Sequence, residues 1–584
     1  MSATLETDRV KAALVIGVTG HRDIREEDRE QLKNSVLGVL ADLRKQYPST
    51  PFILLSPLAE GADRLVAEVA LLPEIGARLI APLPMRKDLY EADFEDPNSL
   101  AEFNRLLGRA DQSFEISLVA GEAALSHPGP ERDLQYEAVG KYIARESQIL
   151  IALWDGVKSN KVGGTSAIVT FQTEGLPERR ACHLHPPELF PVYHILTPRV
   201  SNPHPKGELA PYELKVIYPP AFDSDAEAER YYKTTFGNLD EFDRLVAKRG
   251  PALQNQEVKK NQVAKSKTWR LGNFGEQGLS RSEGWTLNRF AVADALAILY
   301  RKWMLWAHRA LHWVVFLSFT SFVFFAHLHC HPWWALLVSL FLLGVGYFSH
   351  MCAKWVALDA KRQDYRAMAE GCRVRFFWQL AGVKASVPGN YLGRQRTELD
   401  WIRYALRGWE IGLDHHPTAA WIDSEDRLRF ILEHWVVDQR EYFRRAIKES
   451  EEKSELMEGL VRACLVVAIQ AGLELFIATL TTPLPPGEEP IWMVGAIIAI
   501  DLLLAGAALL HHANERMAHS EHLKQYRRML IIFGNAVESI QGLLKSGKFA
   551  AAKTCLRALG QEALVENGDW VLLHRERPLE IPHP

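Results

Sequence analysis

Four small-residue turns carry the groups best suited to hold a charged ligand. The first, Thr19-Gly20-His21-Arg22, follows the apolar run 13–18 (ALVIGV) and leads into a helical pattern, EEDREQLKNSVLGVLADLRKQY. A small-residue turn between strand and helix presents backbone N–H groups and the positive end of a helix dipole, a cradle for phosphate. His21 and Arg22 add donors, the guanidinium as a planar fork. The competing reading is a plain tight βα turn. The second turn, Glu60-Gly61-Ala62-Asp63, opens another helix; the third is Asp155-Gly156 and the fourth Gly163-Gly164-Thr165. The carboxylates Glu60, Asp63 and Asp155 leave hydrolysis open as an alternative to binding. No GxSxG, Walker A or HExxH pattern occurs, so no catalytic residue is assigned. Cys182-His183-Leu184-His185 offers three donors without a distant fourth, so no metal site is expected. Glu474 and Asp501 stand inside long apolar runs. Carboxylates there cost several kcal/mol unless they face water or a partner. They are pore-lining candidates, or else neutral buried acids, Glu474 bonded to Gln470 or to a neighbouring backbone.

These turns need a scaffold that alternates strands with helices. Residues 13–18, 51–56 (PFILLS), 78–83 and 148–154 read as buried strands, with helical patterns after the first two. That alternation predicts a doubly wound, mostly parallel sheet of Rossmann-like type. Ligands on such sheets sit at the carboxyl ends of the strands, where all four turns fall.

The C-terminal half has a different logic. From Ala310 to Ala353 there is no Asp, Glu, Lys or Arg. That length suits two membrane spans of about 20 residues. They are placed at about 310–330 and 333–353, broken at His329-Cys330-His331-Pro332. A second pair is expected at about 463–482 and 491–511, joined by a turn containing Pro483, Pro485, Pro486 and Gly487. Arg301, Lys302, Arg309, Lys354, Lys361 and Arg362 flank the first hairpin. Arg444, Arg445, Lys448, Lys453, Arg462, Arg516, Lys524, Arg527 and Arg528 flank the second. The hairpin turns have no Lys or Arg, and the second carries Glu488 and Glu489. By the positive-inside rule both termini and residues 354–462 are cytoplasmic. The soluble alternative is two buried helical hairpins. Histidines 327, 329 and 331 flank the first turn, as a solvated interface or a pH-sensitive mouth.

The bulk numbers agree with this division. A chain of 584 residues exceeds one core. A net charge of −4 gives no basic field for nucleic acid, and the six scattered cysteines suit a reducing compartment. The N-terminal MSATLETDRV is polar, so no cleavable signal peptide is expected. Each hairpin is followed by a helical run with a Tyr-Arg pair, Tyr365-Arg366 and Tyr526-Arg527, which reads as a duplicated unit. The expected domains are 1–220, a ligand-binding domain; 221–300, a linker and connecting helix, with 254–284 a polar link or mobile loop; 301–460, the first hairpin with cytoplasmic helices; and 461–584, the second hairpin with C-terminal helices.

The run GVTGHR…LSPLAEGADRLVAEVAL…LIALWDG…GGT resembles the SLOG superfamily, which includes DNA-processing protein A, the LOG cytokinin-activating enzymes and the N-terminal domains of TRPM channels. The resemblance covers about residues 10–200, with Ser56, Ala59, Gly61, Asp63, Ala70 and Leu71 matching its second-strand signature. It implies a nucleotide-derived ligand, a cyclic nucleotide or ADP-ribose derivative, at Gly17, Thr19, Gly20, His21, Arg22, Glu60, Gly61, Asp63, Asp155, Gly156, Gly163, Gly164 and Thr165. The PGGxGTxxE signature of LOG hydrolases is absent: the turn reads GGTSAIVTF. That favours a sensor without cofactor over an enzyme. The hairpins, the tail 559–580 (LGQEALVENGDWVLLHRERPLE) and the run 391–410 resemble SLATT membrane effectors. Together the resemblances imply a homo-oligomeric effector of the bacterial inner membrane. It senses a nucleotide-type signal and opens a pore or disrupts the bilayer in antiphage or stress defence. The alternatives are a membrane-tethered nucleotide hydrolase of the LOG type and a ligand-independent ion channel. The aromatic residues Trp401, Tyr404 and Trp409 are read as packing.

Overall fold

The computed structural model describes residues 9–159, 161–176, 188–205, 209–254, 279–328, 331–393, 399–412, 424–481, 490–516 and 519–575. They fall into two compact units. One is drawn from Met1–Asn261, Leu279–Val292 and Ser386–Ala419, the other from Ala293–Ala385 and Ala420–Pro584.

The first unit is an α/β structure. In chain order its elements are β1 (Leu14–Gly20), α1 (Arg29–Gln46), β2 (Phe52–Leu55), α2 (Ala62–Ala70), β3 (Arg78–Leu83), α3 (Lys87–Glu91), α4 (Pro97–Leu107), β4 (Gln112–Glu115), α5 (Glu122–Leu125), α6 (Pro130–Glu146), β5 (Ile149–Trp154), α7 (Thr165–Glu174), β6 (Val192–Leu196), β7 (Leu214–Ile217) and α8 (Asp225–Gln254). The strands form one sheet in the order β4-β3-β2-β1-β5-β6-β7. All neighbours are parallel except β6 and β7. The central strands are continuous apolar runs because the sheet buries them completely: β2 and β5 have no exposed residue. Strand order turns around between β1 and β5, where Gly17 pairs with Leu150 and Gly20 with Leu153. A crevice at the carboxyl ends of the strands follows from that reversal.

The sheet unit also recruits chain from far along the sequence. The helix α9 (Arg281–His327) begins here, and Arg289 Nε donates to the Arg9 carbonyl at 3.0 Å. Residues 400–410, which lie in sequence between the two apolar pairs, form part of this unit as a helix of their own. Its Trp409 Nε1 donates to the Lys11 carbonyl at 2.8 Å, and Gln148 Nε2 donates to the Tyr404 carbonyl at 3.0 Å. Trp401, Tyr404 and Trp409 are all buried. Arg403 and Arg407 of this helix both pair with Glu188. On α8, the buried Asp243 accepts the Ala12 N–H at 2.7 Å.

The second unit is helical. After α9 come α10 (Trp333–Trp355) and α11 (Leu358–Ala381), then the helix of the first unit, α12 (Asp400–Glu410), and then α13 (Ser424–Ile431), α14 (Asp438–Thr481), α15 (Ile491–Arg516), α16 (His519–Lys545) and α17 (Phe549–Arg575). A π-helical turn, Leu432–Val437, joins α13 to α14. Four helices are long and apolar enough to cross a membrane; they contain α9, α10, α14 and α15. Large apolar side chains on them are exposed, among them Phe341, Phe348, Ile469 and Leu480. Tryptophans mark the ends of the apolar zone. Trp333 and Trp334 stand exposed at one end of α10 and Trp355 at the other, about 32 Å apart at 1.5 Å per residue. Trp306 and Trp492 are exposed as well.

Hydroxyls and small residues let these helices approach closely. Ser318 Oγ donates to the Ser339 carbonyl at 2.9 Å, and Ser321 Oγ donates to the Ala335 carbonyl at 2.7 Å, tying α9 to α10. Val323 of α9 packs on Val494 and Ile498 of α15. Along the same two helices His327 Nε2 lies 3.0 Å from Asp501 Oδ2. The polar tail helix α17 packs on α11: Trp378 Nε1 donates to the Leu556 carbonyl at 3.1 Å, Arg362 stacks over Trp570, and Arg575 pairs with Asp364. One residue of each Tyr-Arg pair comes together here, while Tyr365 packs on Tyr300 and Arg527 pairs with Glu451. Arg366 and Tyr526 lie in the electrostatic environment of Glu566. Burial, and then the Glu370 carboxylate, push the Glu566 carboxyl up to about 7. The Pro483–Glu489 turn, the polar link across 255–278, His329-Cys330 and the tail beyond Arg575 lie outside the described residues.

Candidate functional site

The site grows from two close backbone approaches. Gly20, the last residue of β1, faces α2, and a side chain there would put its Cβ 2.3 Å from that of Ala62. Gly61 precedes α2 with φ of +76°, in the left-handed region, and a Cβ there would lie 2.5 Å from the carbonyl oxygens of both His21 and Arg22. The first N–H of α2, from Ala62, donates to the His21 carbonyl at 3.1 Å. The β1 turn and the start of α2 are thus one bonded assembly. Gly17 has another purpose: a Cβ there would meet Ile143 of α6 and Ser147 just after it, each at 2.7 Å.

Five of the thirteen expected ligand residues line cavities, three in one and two in another, while Gly17, Thr19, Gly20, His21, Asp63, Gly163, Gly164 and Thr165 line neither. The first, about 240 Å³, is lined by Arg22, Glu60 and Gly61 together with Arg29, Arg64, Ser99 and Glu102. Arg29 and Arg64 are both tied to Glu102, at 2.8 and 3.2 Å. Glu60 accepts the Ser99 hydroxyl. Arg22 is exposed, makes no salt bridge with a described residue, and rests over the Tyr136 ring at 5.1 Å from its centroid. Among the described residues lining this cavity, Arg22 is the arginine without a salt bridge, beside Arg29, Arg64 and the carboxylates of Glu26, Glu60 and Glu102. Asp63 sits beneath, buried in the first turn of α2. Burial pushes its carboxyl up to about 7, against the pull of the Ala59 backbone N–H and the Arg22 charge. The Tyr136 hydroxyl and Arg132 both bond Asp93, and Gly163 lies against the Glu137 backbone of the same helix, α6. Gly164 caps α7 and Thr165 begins it.

The second cavity, about 440 Å³, is lined by Asp155 and Gly156 with Trp154, His194, Leu196, Lys215 and Tyr218 among others. His21 stands between the two. Its Nε2 lies 3.1 Å from Asp155 Oδ1, and its Nδ1 accepts from Arg199 Nη1 at 2.9 Å. Nε2 also faces the Asp155 backbone N–H at 3.2 Å, so the ring lies between the Arg199 guanidinium on one side and the Asp155 backbone and carboxylate on the other. Burial, then the Arg199 charge, lower the His21 pKa accordingly. Burial works against the Asp155 carboxylate, but the Asn202 amide at 3.1 Å and the Val157 N–H outweigh it, so its pKa lies below the usual value. Arg199 also donates to Asp23 Oδ2 at 3.1 Å.

Sequence reading named Arg22, Glu60, Gly61, Asp155 and Gly156, each of which lines a cavity. It missed Arg199, Asn202, His194 and Arg64. Arg64 had a signal, since it follows Asp63 in the α2 first turn. Arg199 and Asn202 had none, because they come from the loop after β6, far along the chain from His21. Cys182, His183 and His185 lie outside the described residues. Among the described residues no group of three or more His, Cys, Asp or Glu is placed to hold a metal ion. In the apolar helices Glu474 is exposed and accepts from Gln470 Nε2 at 3.0 Å, while Asp501 faces His327.

No known family model matches the sequence, and no curated protein matches it.

Proposed function

We propose that the chain is a membrane effector that senses a nucleotide-derived signal through its sheet unit. It answers by oligomeric pore formation or membrane disruption. The observation that carries the membrane half is the tryptophan spacing: exposed apolar helices bounded by tryptophans about 32 Å apart match the hydrocarbon thickness of a bilayer. With the basic flanks this supports four spans, cytoplasmic termini and an inner-membrane location. The sensing half is supported by Arg22, an exposed guanidinium over an aromatic ring just past the carboxyl end of β1, in a sheet of SLOG-like, doubly wound design. Its natural complement is the phosphate of a cyclic nucleotide or ADP-ribose derivative. A ligand that binds one arrangement better shifts the population towards it. The Asp501–His327 pair is the candidate lining of the resulting path. Bacterial antiphage or stress defence is the setting that the SLATT-like hairpins imply.

The test is dye release from proteoliposomes with a panel of cyclic nucleotides and ADP-ribose derivatives. At least one should trigger release, and Arg22→Ala should weaken its binding by tenfold or more, about 1.4 kcal/mol. Binding without release from any liposome would overturn the effector reading. Glu60 favours a second reading, a tethered nucleotide hydrolase, because its carboxylate lines the first cavity beside Arg22. Steady product formation that Glu60→Gln abolishes would establish it; saturable binding with no turnover would dismiss it.

A further inference from the structure

The apolar part of α14 has two unlike sides. Ala468 is buried, and Cys464, Ala471, Gly472, Leu475 and Ala478 are partly covered. These residues recur at helical spacing and form the strip that packs within the helical hairpin with α15. On the opposite side Val466, Gln470, Leu473, Glu474, Ile477 and Thr481 are all exposed. In the middle of that side Gln470 Nε2 donates to Glu474 Oε1 at 3.0 Å. One bond does not satisfy either group: the carboxamide keeps a second N–H and its carbonyl oxygen, and the carboxyl keeps acceptor sites. Facing lipid, such a remainder costs free energy that no lipid tail returns.

We propose that this side of α14 is the contact surface for a second copy of the same chain, resting on the membrane-spanning reading above. The complementarity is built into the pair. Because Gln470 reaches Glu474 along its own helix, amide and carboxyl lie at nearly one depth. Two copies inserted in the same sense and related by a twofold axis along the membrane normal bring equal depths together. The spare Gln470 N–H of each copy then meets the Glu474 carboxyl of the other. Leu473 and Ile477 close around this core with van der Waals contact. Glu474 is thereby assigned to the joint between subunits, leaving the lining of any path to Asp501 and His327.

Cross-linking of the full chain in native membranes tests this, in a background without the six native cysteines. Leu473→Cys and Ile477→Cys should each give a disulfide dimer under mild oxidation, and Leu475→Cys, on the packed strip, should not. Replacing Gln470 and Glu474 together by Leu should cut the dimer yield at least tenfold. Glu474→Gln, which keeps a hydrogen-bonding carboxamide, should retain it. The contact is overturned if Leu473→Cys and Ile477→Cys stay monomeric, if they link to a protein of another mass, or if the double Leu variant cross-links as before. Alkaline carbonate extraction of the same membranes separates the two levels. A chain that stays in the membrane without dimer overturns the contact alone; a chain released by carbonate overturns the membrane-spanning reading beneath it.

Discussion

Asp63 is a carboxyl whose charge state the fold controls. Its folded pKa of about 7 lies above the ordinary 3.8, so the folded chain holds this proton where the unfolded chain has released it. The stability this supplies is complete below about pH 4 and is lost as the pH rises through 7. Asp63→Asn removes that loss. It should stabilise the protein at pH 8 by roughly 1–4 kcal/mol, less at pH 5, and change little at pH 3, read by thermal unfolding in detergent. Gly61→Ala tests backbone rather than charge. A Cβ at φ of +76°, pressed 2.5 Å from two carbonyl oxygens, should cost about 3 kcal/mol or more and lower the melting temperature. Both residues were legible in the sequence as a small-residue turn with an acid after it. What the turn could not show is that Asp63 lies under the cavity wall while Arg22 is exposed, since Tyr90, which lies near Asp63, comes later in the chain. The network around His21 was half legible: its donors were visible, its Arg199 partner was not.

At the scale of elements, the strands of the sheet centre could be read because each is an unbroken apolar run. β4 (QSFE) and β7 (LKVI) escaped because they are short edge strands with exposed residues, and β6 (VYHIL) escaped although it is interior to the sheet, because Tyr193 and His194 interrupt its apolar run. The tail helix shows the opposite case. LGQEALVEN belongs to the run that resembles SLATT effectors, and the fold gives its glycine a physical reason. A Cβ at Gly560 would lie 2.4 Å from Trp378 Nε1, so α17 can meet α11 only without a side chain at this position. Gly560→Ala should push the two helices apart, weaken the Trp378 bond to the Leu556 carbonyl, and destabilise the helical unit by about 1–3 kcal/mol. Near-ultraviolet circular dichroism of the tryptophans and the melting temperature would report it. The sequence placed 391–410 beside the hairpin helices because it follows the first hairpin. Its Trp409, Gln148 and Lys11 contacts are non-local, and no periodicity within the helix reveals them.

For the molecule as a whole, the discontinuity of the sheet unit makes a direct prediction. A fragment of residues 9–254 lacks α12, and with it the covers supplied by Trp401, Tyr404 and Trp409. Expressed alone it should aggregate or bind hydrophobic dyes. Co-expression with residues 386–412 should recover soluble, monomeric protein. A fragment that is soluble and fully structured alone would show that α12 is dispensable. The same arrangement sets an order of events during synthesis. At about 5–20 residues per second, the ribosome delivers α12 roughly ten to forty seconds after β7. In that interval it makes the first apolar pair, α9 and α10. The sheet unit is therefore finished only on chains that have already produced their first apolar helix pair, and a polypeptide that stalls before it carries an uncovered sheet that cellular quality control can recognise.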